Sequence, residues 1–409
     1  MNRPSPARGG VAGIDRSRPD VDHRARGLVS PVNGQPLVPE GRGVLGDGER
    51  RWPVVAGIAW LRSGHDELRE RAVRLLDRGD PVGAAVLLLA DTDDWWDRPA
   101  PAPARLRAAL NAATLRRAVR LLGMGRVGTY FLHRWSDPTW LAVLALTQRH
   151  PPGDRPVLEL ACGAGHLLRE LTLRGHRDVT GIDIVFAKLW LARRFVAPTA
   201  RLICADVVDR WPVASSGSAY VACHDALYFL AEKERVVRQA RAYAGEGSVV
   251  LGHCHNALVP GVGTGLPLDP AGWEALLPGA VCYDDAELTA ALLDRRTPLP
   301  DGVERLAGSP AMALVSSGRV DAVGADDRDI VFGEPVAGRA LRVNPLYRDG
   351  RLRWPGERWR AEYHAAATYL PARVDVPERV LADAAAGRST FEVRELVRTR
   401  VLLDLPDQW

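Results

Sequence analysis

The sequence predicts an α/β protein: a mostly parallel sheet with helices on both faces, plus a small N-terminal β unit, a helical insert and a mixed C-terminal extension. Three observations carry this reading. From Arg155 onward short apolar runs alternate with amphipathic ones: RPVLELAC, LLRELTLRG, DVTGIDI, FAKLWLARRFV, RLICADV, SAYVACH, EKERVVRQARAYAG and GSVVLGHCH. That is the βαβ rhythm of a parallel sheet. Between Asp66 and His150 apolar residues recur at helical spacings. Ahead of both, residues 28–62 hold Val, Leu and Ile runs broken by the turn signals NG, PEG and GDG.

The chain has 409 residues, more than one average domain, so a central domain with flanking modules is expected. Residues 1–27 are rich in Arg, Pro and Gly without an apolar segment, the composition of a disordered tail and not of a secretory signal. No run approaches the roughly 18 consecutive apolar residues of a membrane helix, which excludes a membrane partner and leaves the cytoplasm as the expected location. The five cysteines, Cys162, Cys204, Cys223, Cys254 and Cys282, form no CxxC pair and read as reduced, buried thiols. A net charge of +4 comes with scattered arginines and only two lysines, Lys188 and Lys233, and no basic stripe marks a nucleic-acid partner.

Within the helical stretch, Leu68, Val73, Leu75 and Leu76, the run from Val82 to Leu89, and Leu106, Leu110, Leu115, Val119 and Leu122 form the apolar faces. Pro99, Pro101 and Pro103 separate its two parts, and Trp95 with Trp96 are expected to anchor it. In GTYFLHRWSDPTWLAVLAL, Asp137 is placed to cap a helix that starts at Pro138. Further on, DDAELTAALLD reads as a helix, GVERLAG and PAMALVSSG as strands, and FEVRELVRTRVLL as a final helix.

The densest signal is Val157-Leu-Glu-Leu-Ala-Cys-Gly-Ala-Gly165. A buried strand ends in small residues and a helix follows at once, so the chain must turn sharply while a ligand approaches its backbone. Dinucleotide-binding folds share that device, but they want a third glycine where this chain has Leu168, and the acidic Glu159 lies inside the strand. The segment resembles the class I S-adenosylmethionine-dependent methyltransferases, whose first motif stands here as Glu159, Ala161, Gly163 and Gly165, with Cys162 in the same turn. Ala161 replaces the first glycine, a change the turn tolerates if its φ is negative. The resemblance implies that Asp183, followed by Ile184, holds the ribose hydroxyls, and that Asp206 with the N–H of Val207 meets the adenine. It covers roughly residues 130–316 and implies a Rossmann-like, seven-stranded sheet whose last two strands are GVERLAG and PAMALVSSG, the final one antiparallel. The chain then divides into the tail, a β unit at 28–62, a helical region at 63–129, a methyltransferase domain at 130–319 and an accessory region at 320–409.

Substrates of open α/β sheets sit beyond the carboxyl ends of the strands. Those ends carry His224 and Asp225 in YVACHDALYFL, and His253 and His255 in VVLGHCHN. Methyl transfer needs alignment of nucleophile and methyl group and, for a hydroxyl or amine, removal of a proton, which a neutral histidine performs near pH 7. His224 is the expected base, with His253 or His255 orienting the acceptor. A rival reading gives His253, His255 and Asp225 to a divalent metal, and a plainer one has the histidines only lining the pocket. No metal is assigned. The resemblance implies a lid formed by Tyr130, Phe131, Trp135 and Trp140, for which ordinary helix-packing aromatics are the alternative, with His166 as a pocket neighbour.

The expected acceptor is a small molecule methylated at oxygen. RNA or protein acceptors, a methyltransferase-like scaffold without turnover, and a nicotinamide enzyme, opposed by Leu168, are the alternatives. Residues 28–62 resemble a zinc-ribbon family that accompanies methyltransferases, through SPVNGQPL and WPVVAGIAWL. Ser30 and Asn33 stand at its first cysteine positions and no cysteine follows near GDGERRW, so a metal-free descendant is expected. That resemblance suggests a protein partner or a homodimer.

Overall fold

The computed structural model describes residues 27–92, 99–214, 216–260, 265–317 and 332–409. The expected tail up to residue 26, and Trp95 with Trp96, lie outside the described residues.

One sheet of eleven strands organises the molecule. Strands β1 (Val38–Gly41), β2 (Val44–Gly46), β3 (Arg51–Val55) and β4 (Ile58–Trp60) form an antiparallel meander. The central strands are β5 (Val157–Leu160), β6 (Val179–Asp183), β7 (Arg201–Cys204), β8 (Tyr220–His224) and β9 (Ser248–His255), all mutually parallel. β10 (Val281–Asp284) and β11 (Ala311–Ser317) complete the order β1-β2-β3-β4-β7-β6-β5-β8-β9-β11-β10. Side chains alternate between two apolar cores, one on each face: Val157 belongs to one, Leu158 and Leu160 to the other.

Two sequence expectations change here. GVERLAG is not the sixth strand: Val303–Gly308 is a 3₁₀ helix, and β10 takes that place. Val303 and Leu306 stand three apart, the spacing of a helical turn, and Leu306 alone of the six residues is buried. PAMALVSSG does form the last strand, antiparallel to both β9 and β10. The second change is at the other end, where β4 pairs in parallel with β7, setting Ala59 opposite Ile203 and Trp60 opposite Cys204. Residues 28–62 therefore extend the central sheet. In their first turn Ser30 Oγ and Asn33 Oδ1 accept the N–H groups of Val32 and Gln35, at 3.3 and 3.0 Å.

Between Asp66 and His150 the described residues form helices Asp66–Asp77, Pro81–Leu89, Pro103–Leu110, Leu115–Leu122, Gly125–His133 and Pro138–Arg149, in keeping with the apolar spacing. Asp137 caps the last of these by accepting the Trp140 N–H at 2.8 Å. The C-terminal region is fastened onto this framework. Arg400 donates to the Trp135 carbonyl at 2.6 Å, the Tyr369 hydroxyl donates to the Ser136 carbonyl at 2.7 Å, and Arg169 pairs with Asp404 at 2.7 Å. The five cysteines are free and buried. Among the described residues no helix is long and apolar enough to cross a membrane.

Candidate functional site

A cavity of about 1440 Å³ opens at the carboxyl ends of the five parallel strands, where Glu159, Asp183, Asp206, His224 and His253 reach its wall. A fold that ends five strands on one side leaves a crevice there.

After β5 the chain turns through three left-handed residues: Ala161 at φ +50°, Gly163 at +54° and Gly165 at +80°. The condition of a negative φ at Ala161 is not met: the turn from strand to helix demands the conformation that glycine adopts without strain. Ala161, Cys162 and Gly163 line the cavity. A Cβ on Gly163 would lie 2.9 Å from the Phe131 ring. Gly165 is not among the lining residues, and its missing Cβ instead admits the Cβ of Ala192 at 3.2 Å. Leu168, where a dinucleotide site would want glycine, packs beneath Gly181, whose Cβ would meet it at 2.5 Å.

Asp183 accepts the N–H groups of Gly163 and Val185, each at 2.9 Å, which locks the strand-end carboxylate against the glycine turn. Asp206 accepts the Val208 N–H at 2.9 Å, and Asp206, Val207 and Ile184 line the cavity. Glu159 is buried with no hydrogen-bond partner for its Oε2. Burial pushes its carboxyl up to about 8, against the pull of Arg134. His166 donates to the Phe131 carbonyl at 3.0 Å and packs on Trp135, and burial holds its ring neutral.

The opposite end of the cavity is a polar network. Asp225 accepts the Tyr130 hydroxyl at 2.7 Å and the Tyr228 hydroxyl at 2.5 Å, and Arg134 lies 3.2 Å from both Asp225 and Asp137. Burial opposes the Asp225 charge, but His253, Arg134 and the two phenols outweigh it and lower its pKa. His253 Nδ1 is 2.6 Å from Asp285, and its Nε2 is 3.0 Å from His255 Nε2 and 3.8 Å from Asp225. Burial disfavours the His253 cation, yet Asp225 and Asp285 together raise its pKa. His255 stacks on Tyr228 with centroids 4.0 Å apart.

His224 lines the same cavity, but neither ring nitrogen has a partner and both are inaccessible to water. Burial, with Arg134 adding to it, pushes its pKa down to about 3. This environment weakens it as a base, and the raised, carboxylate-oriented imidazole is His253.

The structure thus brings Glu159, Ala161, Cys162, Gly163, Asp183, Ile184, Asp206, Val207, His224, His253 and His255 to one cavity and leaves Gly165 outside it. Tyr130, Phe131 and Trp140 line it as a lid would, while Trp135 packs behind them on His166. Sequence reasoning missed Arg134, Asp285 and the wall formed by Trp359 and Tyr363 from the C-terminal region. Asp284 caps the helix Asp285–Asp294 by accepting the Ala286 N–H at 2.8 Å, which frees Asp285 for His253. The one available signal for the wall was aromatic density in RWPGERWRAEY, within a chain that is 6% aromatic.

Residues 157–247 match the family profile described as a methyltransferase domain. The chain carries a methyltransferase domain. The residues present fit a ligand with a cationic end and hydroxyl and amino donors: Glu159 Oε2 has no hydrogen-bond partner, and two strand-end carboxylates line the cavity. No curated relative matches the sequence significantly. Among solved structures, the methyltransferase is similar to the CcbJ methyltransferase of Streptomyces caelestis at 16% identity, covering 44% of this chain and 88% of that one, with a TM-score of 0.34. It is also similar to a TehB-like SAM-dependent methyltransferase of Corynebacterium glutamicum at 19% identity, with coverages of 44% and 87% and a TM-score of 0.31. A complex of the Haloferax volcanii Trm112 methyltransferase activator with a methyltransferase gives 17% identity, coverages of 47% and 92%, and a TM-score of 0.33.

Proposed function

We propose that the methyltransferase transfers a methyl group from S-adenosylmethionine to a hydroxyl oxygen of a small molecule held over Asp225, His253 and His255. The observation that carries this is a single cavity of about 1440 Å³ that joins the glycine turn to the histidine cluster. Pockets for one ligand run to about 300–1,000 Å³, so this volume suits a donor and a compact acceptor together. Glu159 meets the methionine end, Asp183 and Ile184 the ribose, and Asp206 with Val207 the adenine. Ala161, Cys162 and Gly163 form the turn against the cofactor, and Gly165 serves helix packing.

At the acceptor end the protein aligns the oxygen with the methyl group and removes its proton. In the metal-free cluster His253 takes that proton, with Asp285 fixing its tautomer at 2.6 Å. His224 serves as a neutral wall beside it. A cytoplasmic setting suits five free thiols.

The test offers methyl-labelled S-adenosylmethionine with hydroxylated small molecules, RNA and protein in parallel. Label in a small molecule, lost in His253→Ala, is the expected result. Label only in RNA or protein would remove the acceptor assignment, and calorimetric binding of NAD without S-adenosylhomocysteine would remove the donor.

A further inference from the structure

We propose that Asp225, His253 and His255 form a binding site for one first-row divalent cation at the acceptor end of the cavity. The inference rests on the reading that the acceptor oxygen sits over these side chains.

Geometry is the first support. One ligand atom from each residue lies within 4.8 Å of the others. The two Nε2 atoms are 3.0 Å apart and His253 Nε2 is 3.8 Å from Asp225 Oδ1. Donors about 2.0–2.2 Å from a tetrahedral zinc ion stand roughly 3.4 Å from one another, between the two observed separations. Small side-chain shifts would close the site.

The surroundings of the donors are the second. Asp285 holds His253 Nδ1 at 2.6 Å, the carboxylate-to-histidine contact that directs Nε2 toward a metal. Tyr228 stacks on His255 and fixes the plane of its ring. Arg134 engages Asp225 through Oδ2, so the Oδ1 side faces the histidines. The Tyr228 hydroxyl also donates to Oδ1, and a carboxylate oxygen has a second lone pair for a cation.

Charge is the third. Along the contact chain Asp137, Arg134, Asp225, His253 and Asp285, three carboxylates face one guanidinium. With neutral imidazoles the excess of two negative charges matches a divalent ion. Two histidines and a carboxylate are a donor set that such ions accept, and three protein ligands leave a position open. All three side chains line the cavity, so the acceptor hydroxyl can reach that position. The cation would favour the ionised form of the hydroxyl there.

The test titrates the chelator-treated full chain with Zn²⁺ alone, without cofactor or acceptor, by calorimetry and by metal analysis after dialysis. One equivalent should bind. Binding should weaken by about tenfold or more in Asp285→Asn and be lost in His255→Ala. Circular dichroism and S-adenosylhomocysteine binding would confirm that both variants are folded. No zinc bound, or zinc binding unchanged in His255→Ala, overturns the site. Zinc binding without label in any small molecule keeps the cation site and removes the acceptor reading, while chelator-resistant methyl transfer without zinc binding does the reverse.

Discussion

The two ends of the cavity are built by different means. The proposed cofactor end is made from one contiguous stretch, Glu159 to Val207, in which backbone turns hold two carboxylates: Asp183 is fixed by two N–H groups and Asp206 by one. The proposed acceptor end is gathered from Tyr130, Arg134, Asp225, His253, Asp285 and Trp359, and its carboxylates are held by other side chains. Local backbone geometry makes a site that tolerates change around it. A side-chain network makes a site whose members depend on one another.

The sharpest way to break this contrast is Asp225→Ala. Arg134 would keep Asp137 but lose its second carboxylate in a buried setting, and two phenols would lose their acceptor, at a cost of about 3–5 kcal/mol. Urea denaturation measures it, and a loss below about 1 kcal/mol would mean that the network is not cooperative. Asp183→Ala should instead weaken S-adenosylhomocysteine binding by about 1.5–3 kcal/mol, the worth of hydrogen bonds to a charged group, with less effect on folding.

A smaller effect concerns Glu159. Its carboxyl, lifted by burial to about 8, is protonated near pH 7 in the empty site. A cationic methionine end lowers that pKa, so binding expels a proton and S-adenosylmethionine affinity should rise with pH up to about 8 and then level off. The same linkage makes the empty protein less stable as pH climbs from the ordinary carboxyl value of 4.5 toward about 8, because the folded state binds the extra proton. Calorimetry in buffers of different ionisation enthalpy reads the proton directly. The smallest effect is Ala161→Gly: relief of a left-handed alanine is offset by the added freedom of the unfolded chain, leaving stability within about 1 kcal/mol of the parent.

The same contrast explains what was legible in the sequence. Strand alternation, the Asp137 cap and the strand-end carboxylates are local patterns, and each stands where the sequence put it. Ala161 shows the limit of such patterns, since its place in the turn is legible in the sequence and its left-handed dihedral is not. Arg134, Asp285 and Trp359 are ordinary residues in their own segments and acquire meaning only beside Asp225, His253 and Tyr130. The pairing of β4 with β7 joins Trp60 to Cys204, a separation that no periodicity reports.

That pairing also governs how the molecule behaves in a crowd. Without it, β7 would be a bare edge strand reading RLIC, three of its four residues buried now, with unpaired amides ready to recruit another chain. The meander moves the frontier outward to β1, which reads VPEG, is fully exposed, and carries a proline, a glutamate and a register shift. Those are the features by which sheets repel edge-to-edge stacking. Residues 28–62 therefore lie as the selvedge of the fabric, and shearing them away should raise the tendency of the chain to precipitate.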